Sequence, residues 1–209
     1  MGTRNLTCVV NDGTYRIAQY GQWDGYPSGQ GLNILGFLSD GNVEALKRNS
    51  LKCSFISDEN YKRLWREFGV NLDKNGFVDS KTSDKFNAKY PQFNRDVGSD
   101  ILKMVADSPD GLMLQDDYMF AADSLFCEWA YVIDFDKNTF EIYQGFNNKP
   151  LDSSERFSGL YCKANDKRDS DDKYYPVKLV ATFSLSELPD TEEFLLECEP
   201  PDEEGEAVG

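Results

Sequence analysis

The chain has 209 residues, a formal net charge of −15 and no histidine. The lack of histidine excludes Ser-His and Cys-His catalytic triads and removes the commonest metal ligand. The excess of acids disfavours a nucleic-acid partner, because binding to a phosphate backbone depends on Lys and Arg. With 40% hydrophobic residues, we expect one globular domain over residues 1–199.

The negative charge is concentrated near the C-terminal end. Residues 187–209 contain ten acids and no Lys or Arg, and subtracting these ten charges from −15 leaves −5 for the preceding residues. We expect residues 200–209 to form a flexible acidic tail. Such tails most often serve solubility, and where one binds, a basic partner fits it best.

Membrane, disulfide and cofactor signals are missing from the sequence. No apolar run approaches the roughly 20 residues that cross a bilayer, and the first residues lack the pattern of a signal peptide. We therefore expect a soluble, cytoplasmic protein with no membrane partner. The five cysteines contain no Cys-x-x-Cys pair and are expected to be buried thiols. The sequence predicts no metal and no cofactor, because neither a phosphate-binding loop nor a dinucleotide fingerprint is found.

The first half of the chain predicts a hairpin followed by helices. β-Rich residues 5–10 and 14–20 flank an Asn-Asp-Gly turn. Helices are predicted over 32–38 and 41–49, and a third begins after Ser57, which is a favourable N-cap. Polar residues 71–89 hold few core candidates and are expected to leave the main body. Another amphipathic helix is predicted over 93–105.

The second half predicts a second hairpin, a strand and a short helix. Residues 125–135 and 139–144 flank an Asp-Lys-Asn turn, and the first of these strands is apolar on both faces, which is typical of a central strand. A further strand is predicted over 175–185 and a helix over 191–196. These elements predict an α+β fold with a mainly antiparallel sheet covered by helices. One arrangement compatible with this element order has four layers, α-β-β-α.

The segment 19–31 is the main candidate for a binding site. It combines aromatic rings, amides and glycines, so the rings can form apolar walls while the glycines let backbone amides approach a ligand. The candidate ligand-binding residues are Arg4, Tyr20, Gln22, Trp23, Asp24, Tyr26, Ser28 and Gln30. The structural alternative is a connection whose aromatic rings close one end of the core.

Two further patterns involve acidic side chains. Residues 71–79 resemble an EF-hand calcium loop, but Asn71 and Thr82 stand where that family carries its first Asp and its bidentate Glu, so we interpret the segment as a polar turn. Asp116, Asp117, Asp123 and Glu128 could supply carboxylate-based acid and base catalysis if the fold brought them into one cleft. Solvated surface acids are the more common case.

Several stretches are similar to a family of uncharacterised proteins from bacteria, their viruses and some fungi. They are the opening Gly-Thr-Arg-Asn-Leu, the Ala-Gln-Tyr-Gly-Gln-Trp-Asp-Gly-Tyr-Pro of residues 18–27, and residues 128–134 and 176–180. The resemblance covers both hairpins and the last strand. It implies no chemistry, and it draws attention to the segment 19–31.

The sequence favours a binding or interaction protein with no catalytic residues. Such a protein would be an inhibitor or a sequestering protein, phage-related by the resemblance, that takes a small molecule or a protein as its partner. The alternative is a hydrolase or transferase acting on a nucleotide or amide substrate, with Arg4, Asp24 and Glu128 in its cleft.

Overall fold

The computed structural model describes residues 2–74, 78–169 and 172–199. The strands in these residues are β1 (Asn5–Asn11), β2 (Thr14–Gly21), β3 (Ser54–Phe55), β4 (Met113–Leu114), β5 (Trp129–Asp134), β6 (Thr139–Gln144) and β7 (Lys178–Ser184). The helices are α1 (Leu32–Asp40), α2 (Val43–Ser50), α3 (Asp58–Arg66), α4 (Ser80–Lys89), α5 (Asp100–Ala106) and α6 (Thr191–Cys198). The predicted tail 200–209 and the centre of the turn predicted at 71–79 lie outside the described residues.

Five strands form one sheet in the order β2-β1-β5-β6-β7, and β3 and β4 form a small parallel sheet. β1 pairs antiparallel with β2 and parallel with β5, whereas the remaining neighbours in the main sheet are antiparallel. The predicted α+β fold, with two hairpins and a later strand, is therefore confirmed. The α-β-β-α layering is not confirmed, since both hairpins belong to the same sheet.

Local turn chemistry explains both hairpins. Asp12 and Asn138 adopt φ angles of 57° and 58°, a left-handed conformation that Asp and Asn tolerate better than most residues. Asp136 then links the two turns, because its carboxylate accepts hydrogen bonds from the backbone amides of Asp12 at 2.9 Å and Gly13 at 2.8 Å. The parallel pairing of β1 with β5 therefore brings the two hairpin turns into direct contact.

The two faces of the sheet have different coverings. Val9, Tyr131 and Phe140 point to a core shared with residues of the helices α1, α2, α5 and α6. Cys8 and Val132 point to the other face, where residues of irregular segments pack against them. This alternation along each strand is what the side-chain period of two requires for a sheet covered on both sides.

The segment predicted to leave the main body contains the helix α4. Phe86 of α4 is fully buried, and its ring stacks on Trp65 with centroids 3.7 Å apart. Phe86 packs with Leu64, Trp65 and Phe93 in a third cluster, which is distinct from the two clusters on the faces of the sheet. The helix predicted over 93–105 is shorter than expected. Gly98 has φ +50°, which interrupts a right-handed helix, and α5 begins after it.

A buried ionic cluster lies on the side of the sheet covered by irregular segments. The guanidinium of Arg156 donates to Asp134 at 2.5 Å and to Glu141 at 2.6 and 2.7 Å, and all three side chains are almost fully buried. Burial by itself raises the pKa of Asp134 and Glu141, but hydrogen bonds and the charge of Arg156 lower both pKa values overall. Besides Arg156, the backbone amides of Asp136 and Lys137 donate to Asp134, and the hydroxyl of Tyr143 donates to Glu141. Arg156 thus joins β5, β6 and the segment that follows them.

We predict that Arg156→Met lowers the free energy of unfolding at pH 7 by about 3–5 kcal/mol, because two carboxylates lose their buried partner. The exposed ion-pairing residue Arg66 supplies the control, and Arg66→Met should change stability by at most about 1 kcal/mol. Urea denaturation measures both values.

The loss of unfolding free energy caused by Arg156→Met should depend on pH. The lowered pKa values mean that ionised Asp134 and Glu141 stabilise the native protein above their unfolded pKa values, and that this contribution is lost as pH falls through the folded values. The difference in unfolding free energy between the parent and Arg156→Met should therefore become smaller at acidic pH. An equal difference at pH 3 and pH 7 would contradict the ionic explanation.

Candidate functional site

The backbone of the segment 22–31 is held by three different parts of the protein. The amide of Gln22 donates to the carbonyl of Arg95 at 3.1 Å, and the amide of Gly25 donates to the carbonyl of Thr3 at 2.9 Å. The hydroxyl of Tyr131, a buried residue of β5, donates to the carbonyl of Gly25 at 2.8 Å. The segment is therefore an ordered part of the fold. Residues 19–21, which the sequence assigned to the same loop, belong to β2.

A tight turn follows these anchors. Asp24 adopts φ 54°, and its carbonyl accepts a hydrogen bond from the amide of Gln30 at 2.8 Å. A Cβ atom at Gly29 would lie 2.3 Å from the same carbonyl oxygen. The turn Pro27–Gly31 can close in this form only with a glycine at that position. The missing side chain of Gly29 thus leaves room for the backbone carbonyl of Asp24.

Trp23 and Tyr26 are the solvent-facing aromatic residues of the loop, with 46% and 50% of their surface exposed. The indole Nε1 of Trp23 donates to Asp96 at 2.8 Å, and its ring packs against Gly2. One side of the ring is thereby fixed and the remainder stays open to solvent. Both rings extend from a backbone that the anchors hold in place.

Arg4 lies directly before β1, among aromatic and acidic neighbours. Its backbone amide donates to Glu128 at 3.1 Å, and its guanidinium lies 4.8 Å from the ring centroid of the exposed Phe126. Tyr20 donates to the side-chain oxygen of Gln22 at 2.6 Å. Burial raises the pKa of Tyr20, and the positive charge of Arg4 opposes that rise.

The eight predicted site residues differ in whether their side chains contact other parts of the protein or face solvent. Tyr20 and Gln22 bond to each other, and Gln30 accepts a hydrogen bond from the amide of Ser99 at 2.8 Å. Each of these three residues thus uses a polar side-chain atom in a contact within the protein. Ser28 lies in a groove beside α6. The partners Asp96, Phe126 and Ser99 were not predicted, because they come from segments far along the chain.

Some of the predicted acids do share a cleft. Asp116 and Asp117 line a cleft of about 240 Å³ together with Asp58 and Tyr61 of α3. Burial raises the pKa of Asp117, although its carboxylate accepts a hydrogen bond from the amide of Tyr20 at 3.0 Å. Asp58 was not predicted as a site residue, since an acid in the first turn of a helix has a sufficient structural explanation.

The other predicted acids form ion pairs with arginines. Asp123 contacts the guanidinium of Arg168 at 3.2 Å, and Glu128 lies 3.6 Å from that of Arg4. The hydrogen bond described for Asp24 runs through its backbone carbonyl. Arg4 and Glu128 therefore form an ion pair, while the backbone of Asp24 shapes the turn.

Metal and thiol chemistry receive no geometric support from the described part of the chain. There, no three Cys, Asp or Glu side chains are placed to hold a metal ion. All five cysteines are buried free thiols, as the sequence predicted. Burial raises the pKa of Cys127 well above its ordinary value and that of Cys198 to about 12, so these thiols stay protonated at neutral pH.

No family model matches the chain, and neither a curated protein nor a solved structure is significantly similar to it. The resemblance of the opening residues to a family stays a prediction. None of the helices in the described ranges is long and apolar enough to span a bilayer.

We predict that Gly29→Ala destabilises the protein by about 1–3 kcal/mol, because the new methyl group would overlap the carbonyl of Asp24. Gly36→Ala is the matched control. Gly36 lies in α1 with open space where its Cβ would be, so this change should raise helix stability by about 0.5–1 kcal/mol. Chemical denaturation compares the two. Equal stability of the two variants would show that the turn is not closely packed.

Proposed function

We propose that this protein is a non-catalytic binding protein that contacts its partner through the exposed side of the loop 19–31. The observation that carries the proposal is the contrast between a firmly anchored backbone and two half-exposed aromatic rings, Trp23 and Tyr26. A surface already held in one conformation loses little conformational entropy on binding. Aromatic residues presented in this way are typical of interaction surfaces.

The geometry favours a protein partner over a small molecule. Small-molecule sites are concave and enclose most of the ligand, whereas Trp23 and Tyr26 are about half exposed. Tyr, Trp and Arg are the residues that most often dominate the energy of protein interfaces. An inhibitor, which covers a surface of its target, is therefore favoured over a sequestering protein.

We predict that Trp23→Ala combined with Tyr26→Ala abolishes capture of the partner while leaving the protein folded. Immobilised parent and variant are incubated with cell extract, and retained proteins and metabolites are quantified by mass spectrometry. Retention of the specific partner should fall at least tenfold, a loss typical of two interface anchors. The matched control is Phe146→Ala with Tyr161→Ala, which removes two other exposed aromatic rings.

Fluorescence supplies an independent readout. Trp23 is exposed, whereas Trp65 and Trp129 are buried, so quenching by acrylamide reports mainly on Trp23. A bound partner should protect Trp23 from quenching in the parent and in the Phe146/Tyr161 control. The proposal fails if the Trp23/Tyr26 variant retains the same partner as the parent. It also fails if that variant unfolds and the parent retains nothing, because the rings would then be structural.

A second candidate function is carboxylate-based hydrolysis or group transfer on a nucleotide or amide substrate. The supporting observation is the cleft of Asp58, Asp116 and Asp117, in which burial raises the pKa of Asp117. A carboxyl group whose pKa is raised by burial in a cleft is a candidate general acid. Turnover of a nucleoside triphosphate or an anilide by the parent, and its loss in Asp117→Asn, would favour this candidate.

The raised pKa of Asp117 also predicts a pH-dependent stability. Ionisation of Asp117 destabilises the native protein, and the effect develops as pH rises from the unfolded pKa of about 3.9 through the higher folded value. Asp117→Asn cannot ionise and keeps an oxygen that accepts from the Tyr20 amide. Its stability relative to the parent should increase from pH 3 to pH 7 in urea denaturation.

Asp110→Asn serves as the control for this series, because Asp110 is exposed. Its stability relative to the parent should change little over the same pH range. If the unfolding free energies of the two variants changed with pH in the same way, burial of the Asp117 carboxyl would not explain the pH-dependent stability.

A further inference from the structure

A groove with a volume of about 340 Å³ lies where the turn Pro27–Gly31 meets α6. Its lining residues are Ser28, Glu192, Leu195, Leu196 and Glu199. The ring of Phe194, a fully buried residue of α6, packs against Gly31, so the helix is fixed against the loop. Leu196 is 58% exposed beside this contact. The groove therefore continues the loop surface and offers apolar side chains to solvent.

Both charged residues that line the groove, Glu192 and Glu199, are acidic. Glu192 and Glu193 lie in the first turn of α6, where the helix dipole favours acids, but Glu197 and Glu199 lie at its other end, where the dipole disfavours them. Burial also raises the pKa of Glu199. Among the residues that the structure describes, none of these four glutamates forms an ion pair with Lys or Arg.

The C-terminal part of the chain adds no positive charge to this surface. No Lys or Arg follows Lys178, and residues 200–209 add four acids. Like charges repel, so the acidic C-terminal residues are a poor occupant of an acidic groove. The complementary occupant has to bring positive charge and an apolar side chain from outside the chain.

We infer that the groove between the turn Pro27–Gly31 and α6 binds a protein segment in which an apolar side chain is flanked by Lys or Arg. The inference rests on the proposed binding function and names the chemistry of the partner for the α6 side of the same loop. The apolar side chain packs on Leu195 and Leu196. The basic side chains pair with Glu192 and Glu199, on either side of the leucines.

The test uses the full chain and a fluorescein-labelled peptide consisting of three repeats of Lys-Leu-Leu-Lys. A second peptide replaces every Leu with Ser, and a third replaces every Lys with Glu. Fluorescence anisotropy at 50 and 150 mM salt measures the affinities. The parent should bind the first peptide at least tenfold more tightly than either of the others, because each of them lacks one of the two required features.

Two variants locate the binding. Glu192→Gln with Glu199→Gln removes the charges, and Leu196→Ser removes the exposed apolar side chain. Each should weaken binding of the first peptide at least fivefold. The control, Glu44→Gln with Asp84→Asn, removes two exposed acids elsewhere and should stay within twofold of the parent. Circular dichroism checks that every variant is folded.

The outcomes separate this inference from the proposed function. Equal weakening by the groove variant and the control would show general attraction to an acidic protein and overturn the inference, as would equal binding of the Ser-containing peptide. If the first peptide does not bind while partner capture still depends on Trp23 and Tyr26, the inference is wrong and the binding function stands. Groove-dependent peptide binding supports the inference, and loss of capture in the Trp23/Tyr26 variant supports the wider proposal independently.

Discussion

The placement of β1 between β2 and β5 is the constraint on which the rest of the structure depends. Every residue of β1 is buried, and the strand forms ladders with both neighbours. Residues 3–5, which lead into this strand, also anchor the candidate site. The amide of Gly25 donates a hydrogen bond to the carbonyl of Thr3, and the side chain of Asn5 donates to the carbonyl of Trp23 at 3.3 Å. Loss of this strand would therefore separate the two hairpins and also remove the hydrogen bonds that anchor the loop.

This dependence gives the loop an unusual combination of order and exposure. Its backbone contacts β1, β5 and the segment before α5, yet Trp23 and Tyr26 stay half exposed. The proposed binding function uses both features, because the anchors hold the backbone in one conformation and the two rings remain accessible to a partner.

The acidic side chains have two different physical roles. Asp134 and Glu141 surround Arg156 inside the protein, where unpaired carboxylates would be strongly destabilising. The glutamates of α6 lie at the surface beside Leu196, with no basic neighbour within ion-pair distance in the described ranges. Internal acids thus stabilise the fold, whereas the α6 acids are available to an external cation.

The sequence by itself determined the features that depend on neighbouring residues. Both hairpins follow from their turn residues, and α3 begins where Ser57 accepts a hydrogen bond from the amide of Asn60. Composition also predicted an aromatic, glycine-rich loop over 19–31, of which 19–21 belong to β2 and 22–31 follow it. Only the tertiary structure decided the parallel pairing of β1 with β5, the burial of Phe86, and the cleft that joins Asp58 to Asp117. Turns and caps form between residues a few positions apart, while these contacts join distant segments, and a single sequence carries no local signal for which distant segments will meet.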